Sequence, residues 1–366
     1  MQDYPKLNIS TFASWSPSGD NPLIIAGPCA AESKEQVNNT ARRLVENGGV
    51  HIFRAGLWKP RTSPNSFTGV GRVGLKWLKS VKKTYSIPIA TEVMSAKQLL
   101  LAVDSDIDYV WIGARTSVNP YSMDEIAAAM GNIDIPVFIK NPLTPDLSAW
   151  IGAIERINNA GINKIAVVHR GFQSVYSAPL RNEPIWNIPI KLKCLYPSMP
   201  IICDPSHITG NTKFIANIVN KAISLDVSGF MIEVHENPSA ALTDEKQQLT
   251  PTELSVLLKK IDGFVSNSLS LHAQISNDEE YTQIDHLRAL IDSFDENIIK
   301  TLSQRFEATK EIGEIKKKLN ISALQVTRWQ EVMKNRLEEG KKLGLSEQFT
   351  TNLMELIHDE ALKSQE

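Results

Sequence analysis

The sequence predicts a (β/α)₈ barrel followed by a small all-α domain of three helices that forms an intertwined dimer. Eight short apolar runs recur over about the first 240 residues, the count and length of such a barrel. Amphipathic stretches ending in Gly, Pro or Asn separate nearly every pair of runs, and beyond Phe264 the pattern changes to a long helical periodicity.

The runs are Leu23 to Cys29, His51 to Arg54, Ile87 to Glu92, Tyr109 to Arg115, Pro136 to Lys140, Lys164 to Arg170, Pro200 to His207 and Phe230 to Glu233. They are rich in Ile and Val, as strands buried on both faces of a parallel sheet must be. Stretches such as Ser33 to Gly48 and Thr144 to Gly161 read as the intervening helices. The active site of this fold forms at the C-terminal strand ends, where the βα loops converge. Those ends carry Cys29, Arg54, Glu92, Arg115, Lys140, Arg170, His207 and Glu233.

Ser266 to Glu280 is polar and aperiodic, as expected of a linker. The expected domains are therefore residues 1–265 and 281–366. From Tyr281 to Leu319 apolar residues recur at three- and four-residue steps, which predicts one amphipathic helix about 60 Å long. Shorter helices are expected over Leu324 to Glu339 and Ser346 to Lys363. So small a domain cannot cover so long a helix alone, hence the expected homodimer.

With 366 residues, 42% of them hydrophobic, the chain can bury a large core. A net charge of −2 argues against nucleic acid as the main partner. Met1 to Ser14 lacks an apolar core of signal-peptide length, and no segment has the run of apolar residues a membrane span requires. Three cysteines, Cys29, Cys194 and Cys203, form no disulfide framework, so a cytoplasmic location is expected.

Cys29, His207, Glu233 and Asp244 carry metal-ligand side chains at or just beyond strand ends, with His235 as a spare candidate. A thiolate, an imidazole and two carboxylates suit Mn²⁺, Fe²⁺, Co²⁺ or Zn²⁺ and disfavour Mg²⁺ or Ca²⁺. Taken singly, the cysteine could be a small buried hydrophobe, His207 a turn cap and Asp244 a solvated acid. Strands 1, 7 and 8 are neighbours in a closed barrel, however, so the four can meet. Arg54, Lys59 and Arg61, with Thr62 and Ser63, sit in a loop stiffened by Pro60 and Pro64. Arg115, Lys140 and Arg170 complete a ring of cations that repel one another unless anions are bound, which points to substrates bearing phosphates and a carboxylate.

Ala26-Gly-Pro-Cys29-Ala-Ala-Glu32, Lys59-Pro-Arg-Thr-Ser-Pro64, Ile112-Gly-Ala-Arg115, Asp204-Pro-Ser-His207 and Glu233-Val-His together resemble 3-deoxy-D-arabino-heptulosonate 7-phosphate (DAHP) synthase, closest to its type I beta branch. The resemblance implies condensation of phosphoenolpyruvate with erythrose 4-phosphate, the first step of the shikimate pathway. It also implies a divalent ion, Mn²⁺ foremost, on Cys29, His207, Glu233 and Asp244. Arg54, Lys59, Arg115, Lys140 and Arg170 would hold phosphoenolpyruvate, and Arg61 and Thr62 the sugar phosphate. Lys59, Glu92 and His207 would form the catalytic set; Glu92 could position the water or pair with Lys140. The sequence departs from the family at Asn141-Pro142, where Arg-Gly is expected, and at Val168-His169, where Cys-Glu is common; His169 could handle a proton or be a spectator. The alternative is a barrel resembling 3-deoxy-manno-octulosonate 8-phosphate synthase with a catalytically dead helical dimerisation or sensor domain. Lys59-Pro60-Arg61-Thr62 favours the four-carbon sugar.

In the helical domain Arg305 and Lys316 lie 11 residues apart, within about 20° of one helix face, so both can reach one ligand. Arg288 precedes Arg305 by 17 residues, about 25 Å of axis, and would serve the partner's site. Leu287-Arg288-Ala-Leu-Ile-Asp292, Leu302-Ser-Gln-Arg305, Ile312-Gly-Glu-Ile-Lys316, Arg328 and Gln365 resemble chorismate mutase of the all-helical class. By that likeness Arg288, Arg305 and Arg328 bind the carboxylates of chorismate, while Lys316 and Gln365 hydrogen-bond its ether oxygen as prephenate forms. Gln325, Trp329 and Ala361 stand where the family usually has Asp, Glu and Ser. Fusion of the two activities predicts allosteric inhibition of the barrel by prephenate or chorismate.

Overall fold

The computed structural model describes residues 4–19, 21–60, 65–131, 133–174, 179–261, 278–319, 322 and 325–363. Arg61, Thr62 and Gln365 lie outside them, as does most of the expected linker. The chain divides into two compact units, Met1–Ser268 and Leu269–Glu366.

The first unit is a closed barrel of eight parallel strands in sequence order, β1 closing on β8. The strands are β1 Leu23–Gly27, β2 Ile52–Arg54, β3 Ile89–Val93, β4 Tyr109–Ile112, β5 Val137–Lys140, β6 Ile165–His169, β7 Ile201–Cys203 and β8 Gly229–Glu233. Each lies within or overlaps its apolar run; β2, β3, β5 and β8 include the run's functional residue, and the other four strands stop short of it. Cys29 and Arg170 therefore sit on the loops beyond, and Arg115 and His207 on short helices that follow their strands. Around the strands lie α1 Lys34–Asn47, α2 Arg72–Tyr85, α3 Ala96–Asp104, α4 Ala114–Ser117, α5 Pro120–Ala129, α6 Leu147–Asn159, α7 Asn187–Leu195, α8 Pro205–Thr209, α9 Ile215–Ile223 and α10 over 251–261. Helix α1 starts where the Ser33 hydroxyl accepts from the Gln36 amide and stops at Gly48, whose φ of 75° suits glycine. Asp146 caps α6 in the same way.

Two apolar layers hold the barrel. The outer one packs strands against helices. The inner one fills the barrel with Leu23, Ile25, Trp111, Phe138, Val168 and Met231 among others, and Trp15 closes its N-terminal end. The Tyr109 hydroxyl donates to the Trp15 carbonyl at 3.0 Å, and Phe138 stacks on Tyr109 with 5.8 Å between ring centres. The apolar periodicity of the strands carries no sign of this plug.

Gly27 ends β1 at φ 150°, and a Cβ there would fall 2.1 Å from the Arg54 carbonyl oxygen. Gly27→Ala combines backbone strain with overpacking and should cost about 2–4 kcal/mol, read as the shift in the barrel's denaturant midpoint.

The second unit has a 42-residue helix, α11 Asp278–Leu319, then α12 Val326–Lys342 and α13 Glu347–Lys363. Helix α11 spans three residues more at its start than the periodicity predicts. At about 1.5 Å per residue it is some 63 Å long, and Leu287, Ile291, Phe294, Ile298, Ile312, Ile315 and Leu319 along it are exposed within the chain.

Candidate active site

At the C-terminal mouth of the barrel a cavity of about 180 Å³ is lined by Arg54, Lys59, Glu92, Arg115, Lys140, Arg170, Arg181, His207 and Asp244 among others. The structure thus gathers the predicted cations, Arg61 lying outside the described residues, and adds Arg181.

Cys29, Glu233 and Asp244 bring ligand atoms within 4.8 Å of one another. His207, fourth of the predicted set, stands beside them, with Nε2 3.6 Å from Glu233 Oε1. Its Nδ1 lies 2.8 Å from Asp204 Oδ2, an ion-pair distance without hydrogen-bond alignment. Burial lowers the pKa of His207, against Asp204, so the neutral imidazole that a metal requires is favoured. Burial and the Glu233 charge push the Cys29 thiol up to about 12, although Lys59 opposes them. Burial also raises Glu233 and Asp244, yet His207 and Arg54 outweigh it for the first, and Arg181 and His207 for the second. Two ionised carboxylates thus converge on a thiol, a set that favours a cation. The spare candidate, His235, turns away. Its Nδ1 accepts from the Asn237 amide at 3.0 Å, and its Nε2 lies 3.6 Å from Glu32.

Arg54 is 1% exposed and lies over the Trp111 ring, 4.7 Å from its centre. Nη2 donates to Glu233 Oε1 at 3.1 Å, while Nε and Nη1 are buried without a partner. Buried donors left unpaired on a charged group are costly, so the cavity favours an anion here. Burial depresses Arg170 to about 10 and lowers Lys140. Of the two roles open to Glu92, the ion pair fails: the Lys140 ammonium donates to Asp204 Oδ2 at 2.7 Å. Glu92 instead lines the cavity and packs on Gly113, where a Cβ would fall 2.0 Å from its Oε1. Asn141 clamps the β5 and β6 loops, donating to the Gly171 carbonyl at 2.9 Å and accepting from the Arg170 amide at 2.7 Å.

His169 is fully buried against Phe172 and Trp186, both ring nitrogens without a hydrogen-bond partner, and burial drops its pKa to about 3. Burial thus favours the neutral imidazole in the folded protein, which supports the spectator reading. Unfolding restores a pKa near 6.5, so the unfolded chain binds the extra proton and stability falls as pH drops through 6.5 toward 3. Between pH 7.5 and 5.5 the loss should be about 1.4 kcal/mol. Denaturant melts of wild type and His169→Leu at both pH values measure it; equal pH dependence would refute the assignment.

Sequence reasoning missed three participants. Arg181 follows β6 on a loop outside any apolar run, and it donates to Asp244 Oδ1 at 2.8 Å and Gln247 Oε1 at 2.7 Å. Gln247 in turn donates to Glu233 Oε2 at 2.7 Å. Asp204 stood inside the Asp204-Pro-Ser-His207 motif, where it caps α8, but its role as the Lys140 partner emerges only in three dimensions.

In the second unit Arg305 is half-buried on α11 with Nη1 unpartnered, and Lys316 is half-buried eleven residues on. Arg288 and Arg328 are exposed, the latter paired with Glu331 at 3.3 Å. Trp329 stacks on His358 at 3.9 Å, joining α12 to α13, and Ala361 is buried.

Fold and site define a barrel enzyme with a cation-lined mouth and a candidate metal centre. Residues 11–266 match the DAHP synthetase I family, and the chain belongs to it. Residues 287–366 match chorismate mutase type II, so the enzyme has two parts. A phospho-2-dehydro-3-deoxyheptonate aldolase of Thermotoga maritima is 34% identical over 226 residues, 62% of this chain and 64% of that protein. A 2-dehydro-3-deoxyphosphooctonate aldolase of Geotalea daltonii is 29% identical over 265 residues, 66% of this chain and 92% of that one. The crystal structure of the Thermotoga maritima DAHP synthase superposes with a TM-score of 0.61 at 28% identity, covering 68% of this chain and 70% of that one. Among the described residues, no helix is long and apolar enough to cross a membrane.

Proposed function

We propose that residues 1–265 condense phosphoenolpyruvate with erythrose 4-phosphate to DAHP and phosphate, and that residues 281–366 convert chorismate to prephenate. The observation that carries the first activity is Arg54, buried with two unpartnered guanidinium nitrogens beside the Cys29, Glu233 and Asp244 cluster. Cys29, His207, Glu233 and Asp244 would hold one divalent ion, Mn²⁺ by preference. When bound, it supplies a Lewis acid for the aldehyde oxygen. Arg54, Lys59, Arg115, Lys140 and Arg170 would grip the phosphate and carboxylate of phosphoenolpyruvate and aim its C3 at the aldehyde carbon. Lys59 would give its proton to the developing alkoxide, and Glu92 would orient the water that adds at C2 before phosphate departs. Arg61 and Thr62 would bind the sugar phosphate.

In the helical part, Arg305, Arg328 and Arg288 from the partner copy would bind the carboxylates, with Lys316 and Gln365 on the ether oxygen. The reaction is pericyclic and needs orientation and charge stabilisation rather than a nucleophile. The exposed apolar row on α11 supports a homodimer through this part. We place the enzyme in the cytoplasm, with no nucleic-acid or membrane partner. Prephenate or chorismate bound there would inhibit the barrel.

The likeness to 2-dehydro-3-deoxyphosphooctonate aldolase supports a second reading, a five-carbon sugar phosphate as acceptor. Loss of phosphoenolpyruvate is followed in full-length protein with erythrose 4-phosphate or arabinose 5-phosphate, with and without chelator. Turnover of the four-carbon sugar alone, abolished by chelator, is expected. Preference for arabinose 5-phosphate overturns the substrate assignment, and indifference to chelator the metal. Chorismate turnover tests the mutase, and a lack of inhibition by prephenate would refute the feedback.

A further inference from the structure

Each member of the three-ligand cluster has its own protein cation. Lys59 Nζ donates to Cys29 Sγ at 3.0 Å, Arg54 Nη2 to Glu233 Oε1 at 3.1 Å, and Arg181 Nη1 to Asp244 Oδ1 at 2.8 Å. The three differ in their freedom to leave. Arg54 is sealed under Trp111 at 1% exposure, and Lys59 is half-buried with its stem against Gly56, where a Cβ would fall 2.9 Å from Lys59 Cε. The Arg181 side chain is 45% exposed. It forms part of the wall of the central cavity, which holds Arg115 and Arg170, and of a second, open cleft of about 460 Å³ that also takes in Asn211 and Lys246.

We propose that Arg181 is a stand-in cation for the metal and couples metal binding to anion binding. Held on Asp244, the guanidinium neutralises the carboxylate that the ion needs. A divalent ion on Asp244 and a guanidinium on the same carboxylate repel, so metal binding pushes Arg181 away. A phosphate or carboxylate in the adjoining cavities pulls it the same way. Each ligand therefore tightens the other, because coupling between sites is reciprocal.

A residue that merely orients a metal ligand weakens metal binding when removed, commonly by about 10- to 100-fold. A competing cation does the reverse, so the sign of the change decides. The inference rests on the metal reading of this cluster, and the Mn²⁺ dissociation constant of full-length protein, from electron paramagnetic resonance of the free ion, separates the two. No Mn²⁺ binding by wild type would sink the metal reading itself. Given binding, inorganic phosphate is the probe, with Mn²⁺ complexation by the buffer subtracted. Phosphate should tighten wild-type binding about fivefold or more, at the lower end of typical couplings. Arg181→Gln should bind Mn²⁺ more tightly than wild type without phosphate and lose most of the phosphate effect, while Arg181→Lys, which keeps the charge, retains it. Weaker Mn²⁺ binding by Arg181→Gln, an undiminished phosphate effect in that variant, or loss of the effect in Arg181→Lys would each overturn the proposal.

Discussion

Cys29→Ala should leave the barrel folded and reduce condensation by about 10³-fold or more, since a Lewis acid at the reacting oxygen is worth several kcal/mol. Sγ sits 3.1 Å from Asp244 Oδ2 and 3.0 Å from Lys59 Nζ, between the two groups that the ion and the aldehyde would engage. Alanine removes the soft ligand and leaves two hard oxygens and an imidazole, a set with less hold on the borderline ions named above. Proton release provides a readout independent of turnover. A thiol pushed up to about 12 is protonated at pH 7.5, so metal binding by wild type must expel that proton, about one per ion, and the variant has none to expel there. Calorimetry in buffers of different ionisation enthalpy counts it. Full metal content and unchanged turnover in Cys29→Ala would remove the cysteine from the site.

Asp204→Ala should be the most destabilising single change in the barrel mouth. The carboxylate is fully buried, accepts from Lys140 at 2.7 Å and from the His207 amide at 3.0 Å, and stands 2.8 Å from His207 Nδ1. Burial raises its pKa, but His207 and Lys140 outweigh that and hold it well below the usual carboxylate range. Removing one partner of a buried pair strands the other, at about 3–5 kcal/mol. Loss of the cap on α8 adds about 1 kcal/mol. Denaturant unfolding followed by tryptophan fluorescence gives the number, Trp111 and Trp150 both being buried in the barrel. Adding Lys140→Met should recover a large part of the stability while leaving activity lost, because the ammonium is no longer stranded but neither is it available to substrate. A cost below about 1 kcal/mol for Asp204→Ala would mean that Lys140 finds another counter-ion. The low pKa also sets a sign: the stabilisation is present above the ordinary Asp pKa near 3.8 and fades as pH falls toward the lower folded-state value.

The family resemblance named the barrel's ligands and cations, and those among the described residues assemble at one mouth, because strand ends are a local feature. An apolar run, its length and the residue after it are read along the chain, and the closure of eight parallel strands brings their C-terminal ends together whatever the side chains do there. The first helix was equally readable at Ser33 and Gly48, where capping is decided within a few residues. The helical part was readable as a pattern, and within one chain its apolar row stays exposed.

The sequence by itself determined the strand count, the helix periodicity and the chemical inventory of the mouth. Only the tertiary structure decided the pairing: Lys140 with Asp204 instead of Glu92, Arg181 with Asp244, His235 with Glu32, and Trp15 as the plug of the barrel floor. The reason is that an ion pair or a buried ring is chosen by distance and desolvation among groups from strands and loops remote in sequence. His169 shows this most plainly. Its departure from the family pattern left proton handling and a spectator role open, and its burial between Phe172 and Trp186 supports the second.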